Sequence, residues 1–447
     1  MAVFNSIEIN QLTYKVTTNY ARYGLVNIER KYSAKIKVDA RQAFLTIARA
    51  LDYVGIDDTH HAHRVAYMAY ECAQLLGWPP LKLEKTFYAG LLHDCGVTSS
   101  KEHLRLLGDM APAAVDKHCE KGYQSLKDNP LLSEFSEIVL YHHTPWEELK
   151  ELPLDEEIKD ITALIHLADR VDFLRARYAE ESHPEAVTLY EGIIAENILS
   201  KKDTLFQPYF AEVMAKLVNI DGFWFAMDYE RIEKIGLEFK SFVPFNHELG
   251  MTEITGLALF LANIVDAKSP FTYHHSEKVA LLSKMLAEHA GLPVENCEMV
   301  YVAGLLHDVG KLRTPDEILY KNGPLEGVEV SIMKRHSVDT LITLDRFFPD
   351  SKIGIWAANH HEKLDGSGYP YQLKGDQLDI ESRIIAIADI FQALSQHRPY
   401  RGQLSFDEIY QIMEPMVTDG KLDGDIFAYI VNNQAKYYEA STALRTA

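Results

Sequence analysis

VYVAGLLHDVGK, residues 300–311, combines an apolar helical stretch with a His-Asp pair, and FYAGLLHDCGV, residues 87–97, repeats this pattern earlier in the chain. The surrounding His and Asp residues repeat as well. The first set is His61, His93, Asp94, His118, His142, His143 and Asp169, and the second is His275, His307, Asp308, His336, His360, His361 and Asp389. In each set 32 residues separate the first histidine from the second, and 24 separate the third from the fourth. The chain therefore holds two copies of one ligand pattern.

Each copy has the side chains of a divalent metal site. Imidazole and carboxylate together suit borderline-to-hard divalent ions. Five imidazoles and two carboxylates exceed what a single tetrahedral ion needs. Each copy therefore predicts two ions bridged by one aspartate, and the aspartate of the His-Asp pair is the expected bridge.

Length and charge limit the class of protein. A chain of 447 residues is too long for one ordinary domain, and the repeat favours two. The net charge of −20 argues against a surface that binds polymeric nucleic acid or an anionic membrane. A phosphate substrate would then have to be held by local cations.

The compartment is predicted from cysteines and apolar segments. Cys72, Cys95, Cys119 and Cys297 form no CxxC and no regular framework, which fits reduced, buried thiols. The N-terminus lacks the pattern of a signal peptide, and the longest apolar stretch, residues 254–265, is too short to span a bilayer. We expect a cytoplasmic protein without a membrane segment.

Helical spacing dominates the chain. Val279, Leu282 and Leu286 follow His275 at +4, +7 and +11, so this histidine should lie on the buried face of a helix. The same offsets recur after His61. No convincing run of alternating strands appears, so we predict an all-α fold of two tandem helical bundles joined by a packed connector. The predicted boundaries are an N-terminal extension at 1–40, a first domain at 41–204, the connector at 205–250 and a second domain at 251–447.

Three motifs of the second copy resemble one family. HDVGK at 307–311, HHEKLDGSGYP at 360–370 and RIIAIADIFQALSQHRPYR at 383–401 resemble the HD-GYP phosphodiesterases, a branch of the HD metal-dependent phosphohydrolases. The resemblance covers roughly residues 252–410. It implies hydrolysis of a bacterial cyclic dinucleotide at a dinuclear or trinuclear iron or manganese centre. The tandem arrangement, with a plainer HD domain ahead of the HD-GYP domain, most resembles the bacterial phosphodiesterases specific for 3′3′-cyclic GMP-AMP.

Roles for individual residues follow from the metal chemistry and from the resemblance. His275, His307 and Asp389 would hold one ion, His336, His360 and His361 the other, and Asp308 would bridge them. Lys311 would stabilise the transition state or assist the leaving oxygen. The resemblance implies that Tyr369, Arg398 and Arg401 contact the phosphates or bases, and that Gly366 and Gly368 permit the turn that presents Tyr369.

The second copy also departs from the family pattern. Phe271 stands where the trinuclear members have glutamate, so we expect two ions rather than three. Gln392 and Thr340 stand where the family usually has aspartate and glycine. We expect these two positions to lie beside the pocket and to influence base selectivity, which weakens the case for cyclic di-GMP.

The first copy keeps all seven ligand types but not the other motifs. Val97 replaces the lysine, and no GYP follows HHTPW at 142–146. We expect it to bind metal but not to cleave a cyclic dinucleotide. It could act as a 5′-nucleotidase on the linear product, or be structural or regulatory.

Two alternatives for the whole chain remain at this point. One is a cyclic di-GMP phosphodiesterase, and the other is a cyclic-dinucleotide receptor that does not hydrolyse its ligand. The intact ligand set and Lys311 favour an enzyme, because a receptor would not need to activate water. The sequence predicts neither the metal identity nor an oligomeric state.

Overall fold

A computed structural model describes residues 36–443 except 55–59, 100–101, 103–109, 111–115, 179–182, 270–273 and 398–401. Most of the predicted N-terminal extension lies outside the described residues, as do Phe271, Arg398 and Arg401. The all-α prediction is confirmed: within the described ranges the regular elements are helices, with isolated β-bridges and no sheet.

The α-helices of the described residues are α1 (Ala40–Asp52), α2 (His61–Leu75), α3 (Pro80–Leu92), α4 (Asp116–Leu126), α5 (Ser136–Tyr141), α6 (Trp146–Leu149), α7 (Glu156–Tyr178), α8 (Glu191–Ser200), α9 (Pro208–Leu217), α10 (Asp221–Phe225), α11 (Tyr229–Glu238), α12 (Met251–Lys268), α13 (His275–His289), α14 (Val294–Leu306), α15 (Asp316–Leu319), α16 (Gly327–Phe347), α17 (Ile353–Ala358), α18 (Ile380–Ser395), α19 (Phe406–Thr418), α20 (Gly424–Asn432) and α21 (Gln434–Thr442). Short 3-10 helices are Ser133–Phe135, Pro184–Tyr190, Val243–Phe245, Val309–Arg313, Asn359–His361 and Gly375–Gln377.

Backbone contacts divide the chain into two compact units. The N-terminal unit comprises Asp39–Pro270 with Leu312–Tyr320, and the C-terminal unit contains Phe271–Lys311 with Lys321–Ala447. The contacts thus group α12 with the N-terminal unit, whereas the sequence placed the start of the second domain before this helix. Spatial contacts, rather than position in the sequence repeat, therefore determine which unit contains this helix.

The predicted connector packs into the core of the N-terminal unit. Phe242 and Phe245 contact the Tyr88 ring at 6.0 and 4.6 Å between centroids. The carboxylate of Glu84 accepts hydrogen bonds from the backbone N–H groups of Ser241 (2.7 Å) and Phe242 (2.6 Å). Apolar burial and satisfied backbone donors together fix this segment against α3.

One pair of helices has the same close packing in both units. A Cβ added to Gly90 on α3 would lie 2.6 Å from the Cα of Ala66 on α2, and one added to Gly304 on α14 would lie 2.7 Å from the Cα of Ala280 on α13. Only glycine allows this approach. The helix that carries the first histidine is thereby held against the helix that ends at the His-Asp pair. No helix among the described residues is long and apolar enough to cross a membrane.

Candidate metal centres

The structure brings the second set of predicted ligands together inside the C-terminal unit. His275 is the first residue of α13, His307 follows α14, and His336 lies within α16. His360 and His361 lie in the 3-10 helix at 359–361, and Asp389 lies in α18. Each comes from an element fixed by its own apolar packing, so the ligands converge on the bundle interior. We name this cluster the C-terminal centre.

Asp308 faces two separate pairs of histidines. Its Oδ2 lies 3.3 Å from His307 Nε2 and 3.9 Å from His275 Nε2. Its Oδ1 lies 3.6 Å from both His336 Nε2 and His360 Nε2. Bonds of about 2 Å to one ion place neighbouring ligands roughly 3 Å apart. The geometry is therefore that of a carboxylate able to serve two ions, one at each oxygen.

Asp389 and His361 complete the two halves of the C-terminal centre. Asp389 Oδ1 lies 3.3 Å from His275 Nε2 and 3.9 Å from His307 Nε2, on the Asp308 Oδ2 side. His336, His360 and His361 each offer a ligand atom within 4.8 Å of the others. This grouping matches the division of ligands expected from the sequence.

Hydrogen bonds to the backbone orient three of the imidazoles. The Nδ1 atoms of His307, His336 and His360 lie 2.7, 2.6 and 2.7 Å from the carbonyl oxygens of residues 304, 333 and 357. Donation from Nδ1 leaves Nε2 free to bind a cation. His307 Nε2 and Asp308 Oδ1 are buried and find no hydrogen-bond partner among the residues that the structure describes. The residues present therefore fit a metal centre.

The pKa values of the candidate ligands are consistent with metal binding. Burial lowers the pKa of His336 to about 4 and that of His361 to about 3, so both are neutral at pH 7. Burial alone would raise the pKa of Asp308, but His307 and Lys311 hold it well below its ordinary value. His307 differs: burial lowers its pKa, yet Asp308 raises it overall to about 9, so an ion would compete with this proton.

Lys311 lies at the edge of the C-terminal centre. Its Nζ donates to Asp308 Oδ2 at 2.5 Å, and the side chain is only 21% exposed. The 3-10 helix at 309–313 brings the ammonium back to the carboxylate three residues earlier. The lysine of the HDVGK motif is thus placed beside the predicted bridge.

Tyr369 closes another side of the C-terminal centre. Its ring lies 4.7 Å from that of His361 between centroids. Gly366 has φ +81°, and a Cβ on Gly368 would lie 2.5 Å from the Cα of Glu362, so both positions require glycine. The Glu362 carboxylate accepts the backbone N–H of Tyr371 at 2.6 Å, which clamps the loop. Glu362 lies within the HHEKLDGSGYP motif, but its residue type alone does not predict this contact.

A cavity of about 510 Å³ adjoins Tyr369. Its lining includes Lys334 and Arg335 on α16 and residues 367–370 of the loop. Lys334 Nζ lies 5.3 Å from the Tyr369 ring centroid, and Arg335 Nε pairs with Asp339 at 3.2 Å. Neither cation is predicted from the sequence, because no motif indicates a role for the residues just before His336.

The expectation that Gln392 and Thr340 lie beside the pocket is wrong. Both are fully buried. Gln392 Oε1 bonds to His275 Nδ1, on the side of the ring away from Asp308. Thr340 Oγ1 donates to the His307 carbonyl oxygen at 3.1 Å and accepts the Gly310 N–H at 3.0 Å. These side chains contact candidate metal ligands rather than the cavity, so they carry no direct information on base selectivity.

The first set of ligands forms a similar cluster, the N-terminal centre. Asp94 Oδ1 lies 3.5 Å from His118 Nε2 and 3.4 Å from His142 Nε2. Asp94 Oδ2 lies 3.5 Å from His93 Nε2 and 3.8 Å from His61 Nε2. Asp94 thus repeats the arrangement of Asp308 between two pairs of histidines. Its buried Oδ1 has no hydrogen-bond partner in the described part of the chain, so these residues also fit a metal centre.

Asp169 and His143 belong to the same centre. Asp169 Oδ1 lies 3.5 Å from His61 Nε2, and Asp169 Oδ2 lies 3.6 Å from His143 Nδ1. Within the described ranges, both nitrogens of the buried His143 ring lack a hydrogen-bond partner. All seven predicted ligands of the first copy are therefore assembled in one place.

Charged residues distinguish the N-terminal centre from its counterpart. Buried Arg170 donates to Asp169 Oδ2 at 2.7 Å, where the second copy has isoleucine at 390. Asp172 accepts from His61 Nδ1 at 2.7 Å and from Arg64 Nε at 2.7 Å, where the second copy has Gln392. In the N-terminal centre, an ionised carboxylate, Asp172, therefore lies behind the first histidine, His61. The cation beside this centre is an arginine, Arg170, rather than a lysine.

Comparison with known proteins identifies both repeats. Residues 59–174 and 260–426 each match an HD domain family. The chain is 45% identical over 406 residues to the 3′3′-cGAMP-specific phosphodiesterase 1 of Vibrio cholerae, covering 91% of this chain and 94% of the relative. It is 38% identical over 153 residues to a cyclic di-GMP phosphodiesterase of Thermotoga maritima, covering 34% of this chain and 41% of that relative.

A solved structure shares the fold. The crystal structure of a cyclic GMP-AMP specific phosphodiesterase of V. cholerae, V-cGAP3, matches with a TM-score of 0.60 at 21% identity, covering 89% of this chain and 98% of that chain. At this identity the likeness concerns the fold alone.

Proposed function

Because the chain belongs to the HD domain family, with two such domains in tandem, we propose that its C-terminal unit is a phosphodiesterase that hydrolyses 3′3′-cyclic GMP-AMP to the linear 5′-phosphorylated dinucleotide. One observation carries the proposal. Asp308 faces two histidine pairs and Lys311 lies beside it, in a chain that is 45% identical along most of its length to a 3′3′-cGAMP-specific phosphodiesterase.

The residues of the C-terminal centre have separate tasks. Seven residues would hold two divalent ions, iron or manganese, which would supply charge compensation and lower the pKa of a bound water; these residues are His275, His307, Asp308, His336, His360, His361 and Asp389. The buried side chains keep those ligands in fixed orientations. Lys311 brings an ammonium to the edge of the centre, where it donates to a phosphoryl or leaving oxygen as charge develops there. Asp308 holds that ammonium in place through the 2.5 Å contact.

The remainder of the dinucleotide needs its own subsite. A cyclic dinucleotide carries two phosphates, and a chain of net charge −20 must hold the second with a local cation. The cavity beside Tyr369 has room for a nucleotide and contains Lys334 on α16. We assign the second phosphate to Lys334 and an adjacent base to the ring of Tyr369. Arg398 and Arg401 remain predicted contacts.

The assignment of Lys334 is tested by separating binding from turnover. We expect Lys334→Ala to raise KM for the cyclic dinucleotide with little change in kcat, because the lysine holds a phosphate that does not react. Hydrolysis of bis(p-nitrophenyl) phosphate, which has only the reacting phosphate, should be unchanged. The control is Lys421→Ala, which removes a partly exposed lysine of the same unit that pairs with Asp419. Equal loss on both substrates contradicts the assignment.

The preference for 3′3′-cyclic GMP-AMP rests on the relative rather than on a residue. Gln392 and Thr340 support metal ligands and therefore give no argument about bases. The test is to incubate the metal-loaded protein with 3′3′-cyclic GMP-AMP, cyclic di-GMP and cyclic di-AMP and to follow linear products by chromatography. We expect the first to be opened with the highest kcat/KM. Equal or greater efficiency on cyclic di-GMP overturns the specificity, and binding without any product supports a receptor.

For the N-terminal unit, we propose removal of the terminal phosphate from the linear dinucleotide. Its complete ligand cluster around Asp94 supports a hydrolytic role. Buried Val97 stands at the place of Lys311, and no GYP loop follows His143. The alternative is a structural or regulatory domain.

A further inference from the structure

A third cluster of ligand-type side chains lies in the N-terminal unit, outside the N-terminal centre. It consists of Asp52 at the end of α1, His60 just before α2, and His63 in the first turn of α2. Each offers a ligand atom, and these atoms lie within 4.8 Å of one another. His63 is two residues from His61, and side chains two apart on a helix do not share a face. His63 therefore points away from the N-terminal centre and towards α1.

The side chains of Asp52 and His63 are buried against each other, and His60 is partly buried beside them. His63 is fully buried, and its Nδ1 lies 2.8 Å from Asp52 Oδ2. The other Asp52 oxygen, Oδ1, accepts the backbone N–H of Ala62 at 3.0 Å. The Tyr229 ring covers both imidazoles, at 4.1 Å from His60 and 4.9 Å from His63 between centroids. The cluster is thus a packed group of three ligand-type side chains with the Tyr229 ring against both imidazoles.

Two nitrogens of this cluster have no partner. His60 Nδ1 and His63 Nε2 are buried and make no hydrogen bond within the described residues. Buried polar atoms are satisfied in the great majority of native structures, so an orphan in this cluster needs an explanation. His63 Nδ1 and Asp52 Oδ2 face each other at 2.8 Å, a spacing that suits two ligands of one ion. A cation held by these two atoms and by His60 Nδ1 would satisfy the His60 lone pair, and the Asp52 carboxylate would offset its charge. His63 Nε2 lies on the far side of its ring from Asp52 and is not one of these ligand atoms.

The backbone at His60 adds a second observation. His60 has φ 80°, in the left-handed region that residues other than glycine seldom adopt. Such conformations persist where the surrounding structure requires them. Here the turn sets the rings of His60 and His63 edge to face, 6.0 Å apart between centroids.

The second repeat has ligand types at the same three places. Positions 266, 274 and 277, which are Asp, His and Glu, lie 214 residues after positions 52, 60 and 63, the same offset that separates His61 from His275. His274 also has a left-handed backbone, with φ 59°, and its Nδ1 lies 3.7 Å from Glu277 Oε2. Retention of nitrogen and oxygen ligands at all three places sets the cluster apart from an ordinary buried Asp-His pair.

We propose that Asp52, His60 and His63 bind one divalent transition-metal ion of the zinc type, separate from the N-terminal centre. Two imidazoles and one carboxylate are a common three-residue zinc set that leaves a fourth place for water. The ion ties the end of α1 to the start of α2 and so fixes the segment in which His61 begins. Its role is to stabilise the scaffold of the N-terminal centre.

The test is a metal count on the full-length protein. Wild type, Asp52→Asn, His60→Gln and His63→Gln are stripped with chelator, reloaded with zinc, dialysed and analysed for zinc per chain. We expect each variant to bind one equivalent fewer than wild type. The control is His247→Gln, an exposed histidine of the same unit that pairs with Glu253, and it should bind as much zinc as wild type.

Thermal unfolding gives a second readout. Zinc that binds only the folded chain raises Tm, and the rise should be smaller in the three variants than in wild type or His247→Gln. Circular dichroism identifies any variant that fails to fold. His60 is only partly buried, so His60→Gln keeps the test valid if the substitutions at the buried positions unfold the protein. Unchanged zinc content, or a loss of two or more equivalents, overturns the proposal.

Discussion

At the scale of single residues, Asp308 links the two halves of the C-terminal centre. One oxygen faces His275 and His307, and the other faces His336 and His360. We predict that Asp308→Ala abolishes hydrolysis of the cyclic dinucleotide and lowers the metal content of the C-terminal unit, because both ions lose charge compensation. Turnover is measured by chromatography and metal content by elemental analysis.

Asp376→Ala is the control for this substitution. Asp376 is an exposed carboxylate of the same unit, so its loss changes the formal charge equally without touching the centre. Near wild-type turnover in Asp308→Ala would rule out a bridged dinuclear centre as the catalytic site.

Lys311 is predicted to act on rate rather than on metal binding. Its ammonium contacts Asp308 but is not itself a metal ligand. We expect Lys311→Ala to retain its metal and to lose about two to three orders of magnitude in kcat, the usual effect of removing one preorganised donor. Metal analysis and turnover on the same preparation separate the two effects. A parallel loss of metal and rate would instead assign Lys311 a structural role.

Gln392 is predicted to act through His275. Its amide oxygen bonds to His275 Nδ1 and so fixes the tautomer and the ring. We expect Gln392→Ala to weaken metal binding by the C-terminal unit about 10- to 100-fold. Gln392→Asp, which copies the carboxylate found at Asp172 behind His61, should restore binding. Competition with a chelator measures the affinity, and equal affinity in all three proteins would contradict this role.

Residue types and spacing identified the candidate ligands, because metal ligation restricts a site to few side chains. The supporting residues could not be identified in this way. Gln392 and His275 are 117 residues apart, and only the packing of α18 against α13 shows that they touch. Lys334 and Glu362 are ordinary surface residue types in sequence, and their roles arise from the fold of the loop around Tyr369.

At the scale of secondary structure elements, Gly310 determines how the turn after Asp308 meets α16. A Cβ at Gly310 would lie 2.0 Å from the His336 carbonyl oxygen and 2.7 Å from the Thr340 nitrogen. Gly96 meets the His118 carbonyl oxygen at 1.9 Å in the same way. The glycine of each HDxG motif therefore lets the His-Asp turn pack directly on the backbone of the helix that carries the third histidine.

We predict that Gly310→Ala displaces α16 and with it His336. The added methyl overlaps backbone that cannot rotate away, so stability should fall by about 1–3 kcal/mol, as for other overpacked sites. Metal binding by the C-terminal unit should weaken as well. Gly375→Ala is the control, because its nearest new contact is Leu364 Cδ2 at an ordinary 3.5 Å. Denaturant unfolding and metal analysis test the pair, and equal behaviour of the two variants would exclude this packing role.

Apolar spacing was sufficient to predict the helices that carry His61 and His275 and the ends of α3 and α14 just before the His-Asp pairs. It was not sufficient to assign α12. That helix begins the second repeat in sequence, yet contacts place it in the N-terminal unit. Amphipathic spacing shows that a helix has a face to bury but does not identify the partner that buries it.

At the scale of the whole molecule, the chain carries two clusters of the same ligands with different surroundings. The C-terminal centre has Lys311 and the Tyr369 loop beside it. The N-terminal centre has Val97 in place of the lysine, Arg170 against Asp169 and the ionised Asp172 behind His61. Equal ligand sets with unequal neighbours are consistent with the separate reactions that we propose for the two units.

The last prediction concerns the separate reactions that we propose for the two units. We expect His93→Ala combined with Asp94→Ala to leave opening of the cyclic dinucleotide largely intact, because the ligands of the C-terminal centre are untouched. Conversion of the 5′-phosphorylated linear product to its dephosphorylated form should slow, because Asp94 faces both histidine pairs of the N-terminal centre. Chromatography of the product mixture over time, with a parallel assay for inorganic phosphate, measures both steps, and exposed His247→Ala serves as the control. If wild type never releases inorganic phosphate, the N-terminal unit is not a phosphatase, and its ligand cluster has a structural or regulatory role.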